Sequence, residues 1–242
     1  MAQPLGKLDP RARELAAVAR QAWLLRHDGA RRVLPAEVRP GDDVVVCLHG
    51  LFATAGVLRP LRRRLERHEG TRTATMSYPV GPGIAALARQ LAELTAELPP
   101  SVRLHLVGHS LGGVVARWYT QELAPSDTRV VETISIGAPF AGVRHFARFA
   151  LQIARDLDPG SALLRQLALG SRRAGGVPHL SIVGEDDSVA HPPLAHVLPG
   201  GDVLVVRACG HNALLFDERV MAAVETRLLD ERAEAGRQRA TR

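Results

Sequence analysis

A serine hydroxyl is a poor nucleophile at neutral pH. A chain that uses one presents it on a sharp turn between a strand and a helix, where a base can reach it and backbone N–H groups can receive the developing oxyanion. Residues Gly108-His109-Ser110-Leu111-Gly112 have the form of such a nucleophile elbow. Ahead of them Val102, Leu104 and Leu106 alternate with Arg103 and His105, as a strand requires; behind them Val114, Val115, Trp118 and Tyr119 recur at helical spacing until Pro125. Glycine at 108 and 112 lets strand and helix come together without a side-chain collision. A purely structural glycine-rich turn is the plain alternative, and the residues further along the chain weigh against it.

A nucleophilic serine needs a base, and the base needs an acid to orient it. Carboxylates follow the apolar run that ends at Val183, in Gly184-Glu185-Asp186-Asp187, and a histidine follows the run that ends at Arg207, in Cys209-Gly210-His211-Asn212. Parallel strands deliver their C-terminal ends to one edge, so Ser110, Asp187 and His211 can converge in that chain order. Ser110 Oγ would attack an acyl carbonyl, His211 would take its proton and Asp187 would fix the imidazole tautomer. The oxyanion would lie between the N–H of Leu111 and that of Leu51, in the turn His49-Gly50-Leu51-Phe52, with Phe52 in reserve. His211 is preferred to His179, His191 and His196 because it alone follows the last strand. His49 and His109 read as orienting or packing residues. A metal site built from His191, His196 and Asp187 lacks paired or helical ligand spacing, so neither metal nor cofactor is expected.

These residues have to be held by an α/β framework. Apolar strand-like runs at 44–48, 72–77, 130–136, 179–183 and 203–207 alternate with helical patterns at 9–27, 58–68, 84–98 and 212–229, and that alternation predicts a mostly parallel sheet covered on both faces. The expected face of the first helix is Leu15, Val18, Ala19 and Trp23. With 242 residues the expectation is a single domain, with a helical segment over 1–40. Hydrophobic content of 46% fits a soluble protein, and no apolar run approaches the length of a membrane span. Lys7, Asp9, Arg11, Arg13 and Glu14 stand where a secretory signal would be apolar, which predicts a cytoplasmic location. Cys47 and Cys209 read as buried free thiols. Net charge is +6, and every basic residue but Lys7 is arginine, consistent with a coding bias. A solvated helix face accounts for Arg59, Arg62, Arg63, Arg64 and Arg67, so no nucleic-acid partner is expected. The charged stretch 230–242 reads as a fraying helix end, and the chain as a monomer.

The chain resembles the α/β-hydrolases of the bacterial lipase and esterase type over residues 43–229. The resemblance rests on His49-Gly50-Leu51, on Gly108-His109-Ser110-Leu111-Gly112-Gly113, on Gly137-Ala138-Pro139-Phe140-Ala141-Gly142, on Asp158-Pro159-Gly160-Ser161-Ala162-Leu163-Leu164, and on the Asp and His turns. It implies the α/β-hydrolase fold and serine hydrolysis of carboxylic esters, and its Gly-x-x-Asp spacing favours Asp187 over Glu185 and Asp186. The two antiparallel strands that usually begin the family are not visible before Val44, so a compact form is expected. Residues 140–176 form an insertion in which Val143, Phe146, Ala147, Ala150, Leu151 and Ala154 recur at helical spacing. A cap helix over the serine and an ordinary core helix are equally compatible with it. Phe52, Phe140 and Phe146 are the candidate substrate contacts for an apolar acyl group, from a small-molecule or lipid ester. A thioesterase or acyltransferase would use the same triad, and a hydrolase fold that only binds a hydrophobic ligand is the non-catalytic alternative.

Overall fold

The computed structural model of the chain describes residues 9–29, 32–144, 151–171 and 176–240. Its strands are β1 (Arg32–Val33), β2 (Asp43–Leu48), β3 (Thr71–Met76), β4 (Arg103–His109), β5 (Val130–Ile136), β6 (His179–Gly184) and β7 (Asp202–Val206). They form one seven-stranded sheet in the order β1-β3-β2-β4-β5-β6-β7, parallel except for β1, which pairs antiparallel to β3. Parallel pairing needs crossovers, and helices supply them on both faces. Helices α1 (Pro10–Leu24), α2 (Arg59–Leu65) and α7 (Glu218–Ala240) cover one face; α3 (Ile84–Ala96) and α4 (Leu111–Trp118) cover the other. Val44, Val46 and Leu48 of β2 pack on the α3–α4 side and Val45 and Cys47 on the opposite side, which is why β2 reads as an unbroken apolar run. Each fully buried Val or Leu contributes about 1.5–3 kcal/mol.

The sheet's other end is tied by charge. Asp43, 1% exposed, accepts from Arg103 Nε (2.7 Å), His105 Nε2 (3.0 Å) and Arg232 Nε (2.7 Å). Burial works to raise the Asp43 pKa, but the hydrogen bond and charge of His105, with Arg103 and Arg232, hold it at about 2. Arg232 lies in the stretch expected to fray. Its ion pair with Asp43, and that of Arg227 with Glu132, instead fasten α7 to the sheet. The closing helix is also divided: a 3-10 turn at Ala213–Phe216 precedes α7, whose start is marked by Asp217 Oδ1 accepting the N–H of Arg219 at 2.9 Å.

The N-terminal segment departs from expectation in two ways. α1 is capped by Asp9, whose side chain accepts from the N–H groups of Arg11 and Ala12, but its buried residues are Ala17 and Leu24. The expected face is the exposed one, with Leu15 72%, Val18 46% and Trp23 56% exposed. Polar contacts set the rotation: Glu14 and Gln21 point inward to Asn212, and small Ala17 allows close approach. Within 1–40, taken as helical, β1 adds a two-residue strand, too short to leave an alternating pattern.

The helix expected from Val143 through Ala154 is interrupted. Leu151 is extended (φ −105°, ψ 145°), and α5 (Gln152–Asp156) starts only after it, followed by α6 (Ala162–Gly170). Phe146 lies outside the described residues. Ile153, Leu157, Leu164 and Leu167 are buried in the α3–α4 core, and Asp156 Oδ2 accepts the N–H of Ile84 at 2.7 Å, capping α3.

Candidate active site

β4 ends at His109 and α4 begins at Leu111, so Ser110 alone carries the reversal, at φ 52° and ψ −121°. Positive φ in a non-glycine residue costs about 1–3 kcal/mol and persists where neighbours over-determine it. Here the Ser110 N–H donates to the Ile136 carbonyl at 2.8 Å, and the Ser110 carbonyl accepts from Gly113 at 3.0 Å. The glycines on either side have no room for a side chain. A Cβ at Gly108 would stand 2.2 Å from the Gly112 carbonyl carbon, and one at Gly112 would stand 2.3 Å from the Leu48 oxygen. The serine therefore sits at the N-terminus of α4, where free N–H groups and the helix dipole favour negative charge.

Asp187 and His211 meet at the same edge of the sheet. His211 Nδ1 donates to Asp187 Oδ2 at 2.7 Å, and Asp187 Oδ1 accepts the N–H groups of Val189 and Ala190 at 2.8 Å each. That hydrogen bond places the proton shared by the pair on Nδ1 and turns Nε2 away from Asp187. Burial pushes the Asp187 pKa up, but the hydrogen bond and charge of His211 and the two backbone donors outweigh it and hold the carboxyl below its ordinary value. The rival carboxylates Glu185 and Asp186 are exposed, and Glu185 instead accepts the N–H of Ala208 at 3.0 Å. Gly137, at φ 59°, makes room for the pair: a Cβ there would lie 3.2 Å from both Asp187 Oδ2 and His211 Nδ1.

The turn after β2 lies directly against the elbow. A Cβ on Gly50 would be 3.0 Å from His109 Nδ1 and 3.1 Å from the Ser110 Cβ, so this turn packs against the elbow with no room for a side chain at Gly50. His49 holds this turn. Its Nδ1 donates to the Gly50 carbonyl at 2.7 Å, its Nε2 accepts the Tyr78 N–H at 3.1 Å, and its ring stacks on Tyr78 with centroids 3.9 Å apart. Desolvation lowers its pKa to about 4, so the ring is neutral, as that pattern of one donor and one acceptor requires. His109 is also neutral, held at about 3 first by burial and then by the charge of His211; its Nε2 donates to the His211 carbonyl at 3.2 Å. Next to Leu51, Phe52 has φ 60° and is 62% exposed. Phe140 is buried edge-on against His179, 5.6 Å between ring centroids. His179 hydrogen-bonds to Thr133 and Ser135 within the sheet, His196 accepts from the Ala141 N–H, and His191 is exposed. An open pocket of about 730 Å³ is lined by Asp187 together with Gly142, Val143, Glu185, Val189 and His191 among others, but Ser110 and His211 are not part of its wall.

One contributor has no sequence signal. Glu14 of α1 accepts from the Asn212 N–H (2.9 Å), Asn212 Nδ2 (2.7 Å) and the Ala213 N–H (3.0 Å), the residues that follow His211. The partners are 198 positions apart, beyond any local pattern.

Residues 68–196 match the family model described as lipase (class 3). Solved structures share the fold. One, reported with carboxylesterases of the ammonia-oxidizing thaumarchaeon Nitrososphaera gargenis, has 14% identity, covers 87% of this chain and 98% of its own, and gives a TM-score of 0.64. The monoacylglycerol lipase of Paleococcus ferrophilus has 14% identity, 83% and 98% coverage and a TM-score of 0.64. The mature lipase BlEst2 of Bacillus licheniformis has 14% identity, 82% and 97% coverage and a TM-score of 0.58. At these identities the likeness is one of fold. Among curated proteins none matches the chain. No helix among the described residues is long and apolar enough to cross a membrane.

Proposed function

The chain belongs to the class 3 lipase family, and from that premise we propose that it cleaves carboxylic esters through an acyl-enzyme formed on Ser110. His211 Nε2 accepts the Ser110 proton as Oγ bonds to the carbonyl carbon. The oxyanion is received by the N–H groups of Leu51 and Leu111, and collapse expels the alcohol, which takes the proton from His211. Water then enters by the same route and releases the acid, with His211 as base for the second addition. Asp187 keeps Nδ1 protonated throughout and stabilises the imidazolium.

The observation that carries this reading is the 2.7 Å bond between buried Asp187 and His211, at the same sheet edge as a serine held at positive φ on a helix N-terminus. Exposed Phe52, next to Leu51, offers an apolar contact for an acyl chain. Removing the serine is the direct test. Ser110→Ala should lower turnover of a nitrophenyl ester by about 10⁶-fold with unchanged circular dichroism, and a fluorophosphonate should label wild type once per chain and leave the variant unlabelled. Hydrolysis by the variant near the wild-type rate would eliminate the mechanism. Thioesters and alcohol acceptors run in competition separate ester hydrolysis from acyl transfer by the same residues.

A further inference from the structure

α1 turns an apolar face to solvent. Leu15, Val18 and Trp23 are 72%, 46% and 56% exposed, with Ala19 and Ala22 exposed among them. Single apolar residues scattered over a surface mean little, whereas a contiguous stripe along one helix, bordered by cations, is what a helix lying in a lipid interface presents. The cations are there. A groove of about 600 Å³ between α1 and α2 is lined by Arg20, Arg26, Arg59, Arg63 and Arg67, with Trp23 at its side, and by Arg64, which pairs with Glu218 there at 2.6 Å.

Most of this charge is unneutralised. Arg59 pairs with Asp28 at 3.3 Å. Arg20 lies over the Phe216 ring at 4.6 Å and Arg26 over Trp23 at 3.8 Å, contacts that leave the positive charge in place. Arg63 and Arg67 have no side-chain hydrogen bond or ion pair among the described residues. His27, in the same groove, registers the field: desolvation first, then Arg59 and Arg26, with Arg63, keep its pKa below the ordinary value against the contrary pull of Asp28. A second copy of the chain would bring like charge to this surface, which opposes self-association.

The helix that carries this surface also contacts two loops next to the candidate active-site residues. The first half of α1 holds the loop after His211 through Glu14, and beyond its last turn the carbonyls of Leu25 and His27 accept from Thr54 Oγ1, in the loop that follows Leu51. We infer that this face docks on an anionic phospholipid bilayer, α1 lying in the interface with Leu15, Val18 and Trp23 entering the headgroup boundary while Arg20, Arg63 and Arg67 engage lipid phosphates. The inference concerns binding and stands apart from the chemistry at Ser110.

Co-sedimentation with phosphatidylcholine vesicles, and with vesicles enriched in phosphatidylglycerol, tests it in the full chain. Binding is expected only to the anionic vesicles and is lost at high salt. In a Trp118→Phe background Trp23 is the remaining one of the two tryptophans, and its emission should shift to the blue on binding. The double variant Arg63→Gln, Arg67→Gln should weaken partitioning about 25-fold, at about fivefold per cation removed, and Leu15→Ser should reduce the emission shift. Equal binding to both vesicle types, or unchanged partitioning of the double variant, would overturn the inference. So would a lipid-free dimer that Leu15→Ser dissolves, which would make the face a self-association surface, or binding of inorganic phosphate without binding to vesicles.

Discussion

Substituting Asp187 by asparagine changes one atom and tests the geometry most sharply. Asp187 Oδ1 is committed to two backbone donors, Val189 and Ala190, at 2.8 Å each. An asparagine keeps its carbonyl oxygen there, because turning the amide would set its NH₂ against two N–H groups. The NH₂ then faces His211 Nδ1 across the former 2.7 Å bond, and the ring must accept where it had donated. The proton moves to Nε2, the atom that has to take the Ser110 proton. Loss of the tautomer and of the charge that stabilises the imidazolium lowers turnover by about 10⁴-fold in a triad of this kind, about 5 kcal/mol of transition-state stabilisation. The fold should lose much less, about 1–3 kcal/mol, since shape and the two backbone bonds survive. Nitrophenyl ester kinetics for Asp187→Asn should give a collapsed kcat with KM within a few fold of wild type, and urea unfolding should give the smaller stability loss. Asp186→Asn, on an exposed side chain, is the control and should be unchanged. A kcat for Asp187→Asn within tenfold of wild type, or a collapse in Asp186→Asn, would refute the reasoning.

Other perturbations read different parts of the site. Gly137→Ala adds a methyl 3.2 Å from both Asp187 Oδ2 and His211 Nδ1 in a left-handed backbone; kcat should fall by up to about 10²-fold through misplacement of the pair, as seen by comparing kcat with KM. Glu14→Ala strips the Asn212 and Ala213 N–H groups of their acceptor and should cost about 1–3 kcal/mol in urea unfolding, with kcat reduced and KM held; unaltered turnover would mean that the loop positions His211 unaided. Buried neutral histidines should make the protein acid-sensitive. His49, His109 and His179 have folded pKa values of about 4, 3 and 3 against an ordinary 6.5, so stability present above pH 6.5 falls as the unfolded chain takes up protons, by about 2 kcal/mol for each by pH 5. His105, raised by Asp43 and Glu132 against its burial, works in the opposite direction and offsets part of that loss. Denaturant midpoints at pH 7 and pH 5 check the net sign, which would be wrong if stability rose on acidification.

What could be read from residues alone was whatever depends on neighbours in the chain. The elbow around Ser110 is legible because a strand, a tight turn and a helix each impose their own spacing on adjacent residues, and the order of Ser110, Asp187 and His211 follows from parallel strands sharing an edge. Runs buried on both faces, such as β2, announce themselves for the same local reason. The insertion is partly opaque: helical spacing from Val143 to Ala154 could not register that Leu151 would be extended. The orientation of α1 is not legible from the helical spacing of its large apolar side chains, because that spacing carries no information about polar anchors. Glu14 and Gln21 fix which side faces inward only once Asn212 is beside them. The family spacing already favours Asp187, and the structure has it buried against His211 while Glu185 and Asp186 are exposed; tertiary structure alone decided that Gly137 clears space for the Asp187–His211 pair and that Arg59 and Arg63 of α2 share a groove with Arg20 of α1. Periodicity encodes the conformation of a segment, whereas a hydrogen bond between residues 198 positions apart exists only after packing has brought the two segments together, and nothing in the local sequence carries that distance.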